Sequence, residues 1–302
     1  MIDLSVQIGN LALRNPVIAA SGTFGFGQEY SQLYDTSRLG AICTKGLTLH
    51  PQQGNPGPRL WETPCGLLNS IGLQNPGVTS FVKEDLPKMK EMRLVVIANV
   101  WGNTVKEYGQ VVGKLSNTSI DAVEINISCP NIPDQPITGK QVARTAKVVR
   151  EARKTCKKPL WVKLSPTSEG SSLQLARAIQ AEGANAICVA NTFRAIAIDI
   201  TKRKPVFRNI FAGLSGPAIK PITLGIVYEL SLALEIPVIG IGGITNWQDA
   251  VEFIMAGAYA VQIGTGNFID PFCGIKVIKG LTTFMENQSI ESWEDIRGCA
   301  HQ

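Results

Sequence analysis

Two glycine pairs carry the first chemical signal in this sequence. Gly240-Ile241-Gly242-Gly243 and Gly264-Thr265-Gly266 each end a short apolar run and lead toward a helical pattern. Glycine lets backbone N–H groups close on an anion beside a helix N-terminus, so two such pairs on successive runs point to phosphate binding. Two lysines, Lys45 and Lys163, fall near the ends of other apolar runs. A lysine there is costly unless it meets a charge. Each could face an anion, or one could form a Schiff base. Neither of the two histidines, His50 in a long connection and His301 at the penultimate position, is well placed as a general base. Glu124 alternates with Val123 and Ile125 and can point elsewhere. That leaves Cys129, just past a strand end in Asn126-Ile127-Ser128-Cys129-Pro130-Asn131, as the candidate proton acceptor. A thiol with an ordinary pKa near ~8.5 must be shifted or deprotonated to serve.

The elements that position these residues are short and regular. Apolar runs rich in Val and Ile span 15–22, 41–46, 93–100, 122–128, 160–165, 186–191, 236–243 and 260–265. Continuous apolar runs of this length suit strands buried on both faces, as in a parallel sheet. Helical patterns over 104–115, 139–155, 172–182 and 246–256 alternate with them. Eight βα units favour a closed barrel, an α/β (β/α)8 TIM barrel, over an open sheet. Leu4 to Leu13, with Gly9-Asn10 at its middle, reads as an N-terminal β-hairpin capping one end. The connections from Gly46 to Arg93 and from Asn191 to Ile236 exceed what a βα repeat needs, and read as long loops over the C-terminal face. The expected organisation is one domain, 1–302. In a barrel each strand's C-terminal end faces the site. Here those ends read Ser21-Gly22, Lys45-Gly46, Asn99, Asn126 with Cys129, Lys163 with Ser165, Asn191-Thr192, Gly242-Gly243 and Gly264-Thr265.

Composition narrows the function classes. The net charge of +5 is thinly spread, without the basic stripe and interleaved aromatics of a nucleic-acid binder. The seven cysteines contain no CxxC, so no zinc or iron–sulfur site is expected in this chain. An odd, scattered set fits a reducing compartment. The N-terminus lacks a signal-peptide layout, and no apolar run approaches the ~20 residues of a membrane span. These features predict a cytoplasmic, soluble chain.

Several of the same residues sit in motifs that resemble the dihydroorotate dehydrogenase family. They are Ser21-Gly22-Thr23-Phe24-Gly25, Thr44-Lys45-Gly46, Asn55-Pro56 with Pro58-Arg59, Asn69-Ser70-Ile71-Gly72-Leu73-Gln74-Asn75-Pro76-Gly77, Asn126 to Asn131, and Gly213-Leu214-Ser215-Gly216-Pro217. The run through Gly77 is similar to the NAD-linked class 1B enzymes. The resemblance implies FMN at the barrel mouth, its ring and ribityl chain held by Ser21, Lys45, Gly46, Asn99, Asn126, Lys163 and Ala190. It implies a phosphate site at Gly216, Gly242, Gly243, Gly264 and Thr265. Substrate would meet Lys45, Asn69, Ser70, Ile71, Gly72, Leu73, Asn126, Asn191 and Thr192. Cys129 would take a ring proton as dihydroorotate becomes orotate in pyrimidine biosynthesis. The resemblance further implies a homodimer within a heterotetramer, whose partner subunit carries FAD and an iron–sulfur cluster and passes electrons to NAD+. No convincing Rossmann fingerprint is present here, which a separate electron-transfer partner would explain.

Two stretches depart from the family pattern. Ile132-Pro133-Asp134-Gln135-Pro136-Ile137-Thr138-Gly139 is shorter and less glycine-rich, and Phe193-Arg194-Ala195 replaces smaller apolar residues. Both bear on substrate choice. The competing readings are a fumarate-linked enzyme or another dihydropyrimidine flavin oxidoreductase, a flavin-free barrel lyase using Lys45 or Lys163 as a Schiff base, and a barrel kept as a binding scaffold.

Overall fold

The computed structural model describes residues 2–127, 139–165 and 171–301. The chain opens with a two-stranded antiparallel hairpin, β1 (Val6–Ile8) and β2 (Leu11–Leu13), turning at Gly9 with φ +57°. Then come β3 (Val17–Ala19) and β4 (Ala41–Cys43). The first excursion carries β5 (Leu60–Thr63) and β6 (Gly66–Asn69). Next are β7 (Val96–Val100), β8 (Ala122–Asn126), β9 (Leu160–Lys163) and β10 (Ala186–Val189). The second excursion carries β11 (Phe193–Ile196), β12 (Ile198–Asp199), β13 (Lys204–Pro205) and β14 (Phe211–Ser215). The chain then continues through β15 (Val238–Ile241) and β16 (Ala260–Ile263).

The strands β3, β4, β7, β8, β9, β10, β15 and β16 pair in that order, all parallel, and β16 returns to β3. The ring is the expected (β/α)8 barrel. All eight apolar runs became its staves because each is hydrophobic on both faces: one face fills the lumen, the other packs under helices. The four expected helices are present at Val105–Ser116, Gly139–Thr155, Ser171–Ala181 and Trp247–Met255. Thr104 caps the first by accepting from the Glu107 N–H at 3.2 Å. Asn246 and Asp249 form a reciprocal capping box at the last. Helices Leu86–Glu91, Lys220–Ala233 and Cys273–Gln288 add to the outer layer. Among the described residues, no helix is long and apolar enough to cross a membrane.

The two excursions differ from the expected loops. They pair with each other in an antiparallel sheet of order β11-β14-β6-β5, with Leu214 opposite Leu68 and Gly213 opposite Asn69. Pairing is possible because both leave from the same face of the barrel. It satisfies backbone groups that a loose loop would leave to water. The meeting is tight: a Cβ on Gly66 would lie 2.1 Å from the Ser215 carbonyl oxygen. A small second core of Leu68, Phe207 and Ala212 sits beneath this sheet.

The turn after β15 is held by charge. Lys220 Nζ donates to Asp249 Oδ1 at 2.6 Å and to Glu252 Oε1 at 2.9 Å. Asp249 Oδ2 accepts from the Thr245 N–H and hydroxyl at 2.9 and 3.0 Å. Burial alone would raise the Asp249 carboxyl, but the Lys220 ammonium and the Thr245 donors bring it below its ordinary value.

Two outcomes follow from these contacts. Gly66→Ala should lower stability by about 1–3 kcal/mol through the clash with Ser215, read as a lower melting temperature; an unchanged melt would refute the close pairing. Asp249→Asn should cost about 1.5–3 kcal/mol at neutral pH. A carboxyl lowered on folding stabilises above its unfolded pKa and loses that contribution as pH falls through the folded value. The gap between variant and parent urea midpoints should therefore close below about pH 4; a gap that persists at pH 2 would count against this account.

Candidate active site

The barrel lumen holds a polar layer. Alternate strands of such a barrel contribute side chains to one level. Here β4, β8, β10 and β16 supply Cys43, Glu124, Cys188 and Gln262, all fully buried. Glu124 accepts from Asn99 Nδ2 at 2.6 Å, Gln262 Nε2 at 2.7 Å and the Cys43 thiol at 3.2 Å. Gln262 Nε2 also lies 3.6 Å from Cys188 Sγ. Burial, then the nearby Glu124 charge, pushes both thiols well above their usual range, so they remain neutral. Glu124 thus points into the barrel axis, away from the outer helices. A lone acid in an otherwise continuous apolar strand was the signal for it, the same signal that singled out the two lysines.

Above this layer lies the mouth. Asn99 is the penultimate residue of β7 and Lys163 ends β9, both buried, and Asn126 ends β8 directly opposite Lys163. Asn191 Nδ2 donates to Asn126 Oδ1 at 3.2 Å, and Tyr108 donates to the Asn126 carbonyl at 2.7 Å. A Cβ added to Gly46 would lie 3.2 Å from Asn99 Oδ1 and 3.3 Å from Leu73. Ser21 follows β3, and its backbone N–H faces the Cys43 thiol. Lys45 borders a recess of ≈ 390 Å³ shared with Gln52 and Gln74. Ala190 follows β10, its N–H donating to the Ile241 carbonyl at 3.0 Å.

The expected substrate loop arches over this mouth. Asn69 Nδ2 donates to the Gly213 carbonyl at 3.0 Å, and a Cβ on Gly213 would meet the Thr192 hydroxyl at 2.1 Å. Asn69, Gly213 and Thr192 therefore converge where the two excursions meet. Gly72 and Leu73 take positive φ, 75° and 56°. Asn55 holds the bend from below, its amide donating to Ser70 Oγ at 3.0 Å and its N–H to the Ile71 carbonyl at 2.9 Å. Asn75 latches the far end through Thr48, Leu73 and Gly77. The Asn55, Arg59 and Asn75 motifs thus shape the loop.

The glycines expected at a phosphate also come together. Gly242 and Gly243 follow β15 with φ of 138° and 73°, and Gly216 has φ of 95°. A Cβ on Gly243 would lie 3.0 Å from the Gly216 oxygen, and one on Gly216 would lie 3.5 Å from Thr265. The Thr265 hydroxyl donates to Ser215 Oγ at 2.7 Å. Gly264 faces Ala20 across the end of β16 and β3. The short helix Gly266–Ile269 follows Thr265, and the helix Lys220–Ala233 starts beside Gly216 and Gly243. The result is a close cluster of glycine backbone, with Lys220 turned toward Asp249 and Glu252.

Not every expectation can be placed. Cys129 and residues 132–138 of the shorter loop lie outside the described residues. The Phe193-Arg194-Ala195 departure forms β11, and Arg194 stacks on the Phe211 ring of β14 at 3.2 Å from the centroid. Among the described residues no cluster of three or more His, Cys, Asp or Glu could hold a metal ion.

The family model for dihydroorotate dehydrogenase matches residues 3–285. A protein of Petrotoga mobilis named dihydroorotate dehydrogenase B (NAD(+)), catalytic subunit, is 50% identical over 299 residues, covering 99% of each chain. The protein of the same name from Thermoanaerobacter pseudethanolicus is 47% identical over 298 residues, 98% of each chain. That from Bacteroides thetaiotaomicron is 44% identical over 303 residues, 99% of each. A matched family model spanning nearly the whole barrel, and relatives alike from end to end, place this chain in the dihydroorotate dehydrogenase family.

Proposed function

We propose that the chain is the catalytic subunit of an NAD-linked dihydroorotate dehydrogenase that oxidises dihydroorotate to orotate on FMN, in a soluble cytoplasmic assembly. The observation that carries this reading is the convergence, at one barrel mouth, of the positive-φ glycines Gly216, Gly242 and Gly243 with the buried Asn99 and Lys163 and the half-buried Asn126 and Asn191. The residues suit the cofactor. Asn99 Oδ1 is buried, with no hydrogen-bond partner among the described residues. Positive-φ glycines present backbone N–H groups to an anion.

In this reading Gly216, Gly242, Gly243, Gly264 and Thr265 hold the phosphate. Ser21, Lys45, Gly46, Asn99, Asn126, Lys163 and Ala190 line the ring and ribityl chain. FMN, when bound, supplies the hydride acceptor. Asn69, Asn126, Asn191 and Thr192 offer the donors and acceptors an imide requires, while Ser70 through Leu73 close the loop over it. Lys45 complements the substrate carboxylate. Cys129 removes the ring proton as the hydride departs and the carbon–carbon double bond forms. The covering sheet keeps water from the reacting atoms.

The relatives' name, which specifies both a catalytic subunit and NAD(+), supports a wider assembly. We assign the remaining transfer to a partner subunit with FAD and an iron–sulfur cluster. A homodimer of this chain sits within the heterotetramer. The exposed Leu60, Trp61, Ile196, Ile198 and Phe211 on and beside the covering sheet support an assembled state.

Dihydroorotate added without oxygen should bleach the visible spectrum of the FMN-loaded chain. A spectrum that does not bleach would refute the substrate, and a chain that takes up no FMN would refute the cofactor. Cys129→Ala should keep the flavin and lose about 10²–10⁴-fold in turnover at neutral pH; normal turnover would remove Cys129 from the reaction. Lys163→Ala should retain less flavin after gel filtration, and full occupancy would count against its placement.

A further inference from the structure

We propose that Glu124 is a positioning residue for the flavin site: from inside the barrel it dictates which end of the Asn99 side-chain amide faces the mouth. The inference rests on the flavin reading above and adds to it a residue that touches neither cofactor nor substrate.

An ionised carboxylate only accepts hydrogen bonds. Two amides reach Glu124, Asn99 at Oε1 and Gln262 at Oε2, at 2.6 and 2.7 Å. Each must therefore turn its nitrogen inward. Asn99 cannot rotate by half a turn without setting its oxygen against a carboxylate oxygen. Its Oδ1 is thus held toward Gly46 and the mouth, buried and with no partner among the described residues. A fixed, unmatched acceptor at that point suits a ring N–H of a bound heteroaromatic group. A donor there would meet the same N–H with repulsion.

The surroundings show why a carboxylate, rather than another amide, imposes this order. Glutamine at 124 would offer one donor and one acceptor. Asn99 could then face it in either orientation and would no longer present a single atom to the mouth. A carboxylate in a dry lumen is itself costly, and apolar side chains would fill the same layer without that cost. The buried Lys163, close enough to Cys43 and Cys188 to act on both thiols, offsets part of the charge.

The test is a swap. Glu124→Gln, nearly the same shape, should bind FMN about tenfold more weakly and shift the flavin midpoint potential, while the apo-protein melt stays close to that of the parent. In the double variant Glu124→Gln with Gln262→Glu, the new carboxylate accepts only, so residue 124 must donate to it and turn its oxygen toward Asn99. The double variant should recover FMN affinity to within about threefold of the parent. Parental affinity and potential in the single variant would overturn the proposal. So would a double variant that fails to fold or still binds about tenfold more weakly. If the single variant does not fold, the double alone decides. A parent chain that takes up no FMN would overturn the flavin reading itself, and this inference with it.

Discussion

A closed ring of eight parallel strands excludes water from its lumen, so a polar atom left unmatched there is costly. Most of this lumen obeys the rule by being apolar. One level is polar: there the Glu124 carboxylate accepts from the Gln262 and Asn99 amides and from the Cys43 thiol. The rest of the site stands on that level. Asn99 is held from it, Lys163 and Asn126 end the strands just above it, and the positive-φ glycines follow β15 on the far side.

The same closure explains why the chemistry gathers on one face. Parallel strands return by helical crossovers, so all eight C-terminal ends open in one direction. Both excursions leave from that face and meet each other above it. The mouth is thus bounded below by a rigid ring and above by a sheet whose pairing depends on the close approach of Gly66 and Ser215.

The barrel itself was legible in the sequence because its signals are local. Continuous apolar runs bounded by glycine, proline or polar residues marked every stave, and Thr104 and Asn246 marked helix starts that the structure confirms. The covering sheet was not legible. Its strands are four or five residues long, mix polar and apolar side chains, and gain their partners from a distant excursion. Glu124 was visible as a charge in an apolar run, but period-two alternation gives only the two faces of a strand. It cannot say which face becomes the lumen until the ring closes.

The covering sheet also sets an order of assembly. Leu67 and Ser215, joined across β6 and β14, are 148 residues apart. During synthesis at ~5–20 residues per second, the outer edge of β6 waits on the order of 10 s for its neighbour. Four barrel strands, β7 to β10, are made in that interval. An unpaired strand edge is a template for unwanted pairing, and here it is the edge that will later roof the active site. A nascent chain of this protein is therefore most vulnerable to aggregation midway through translation, and its catalytic pocket is among the last parts to take shape.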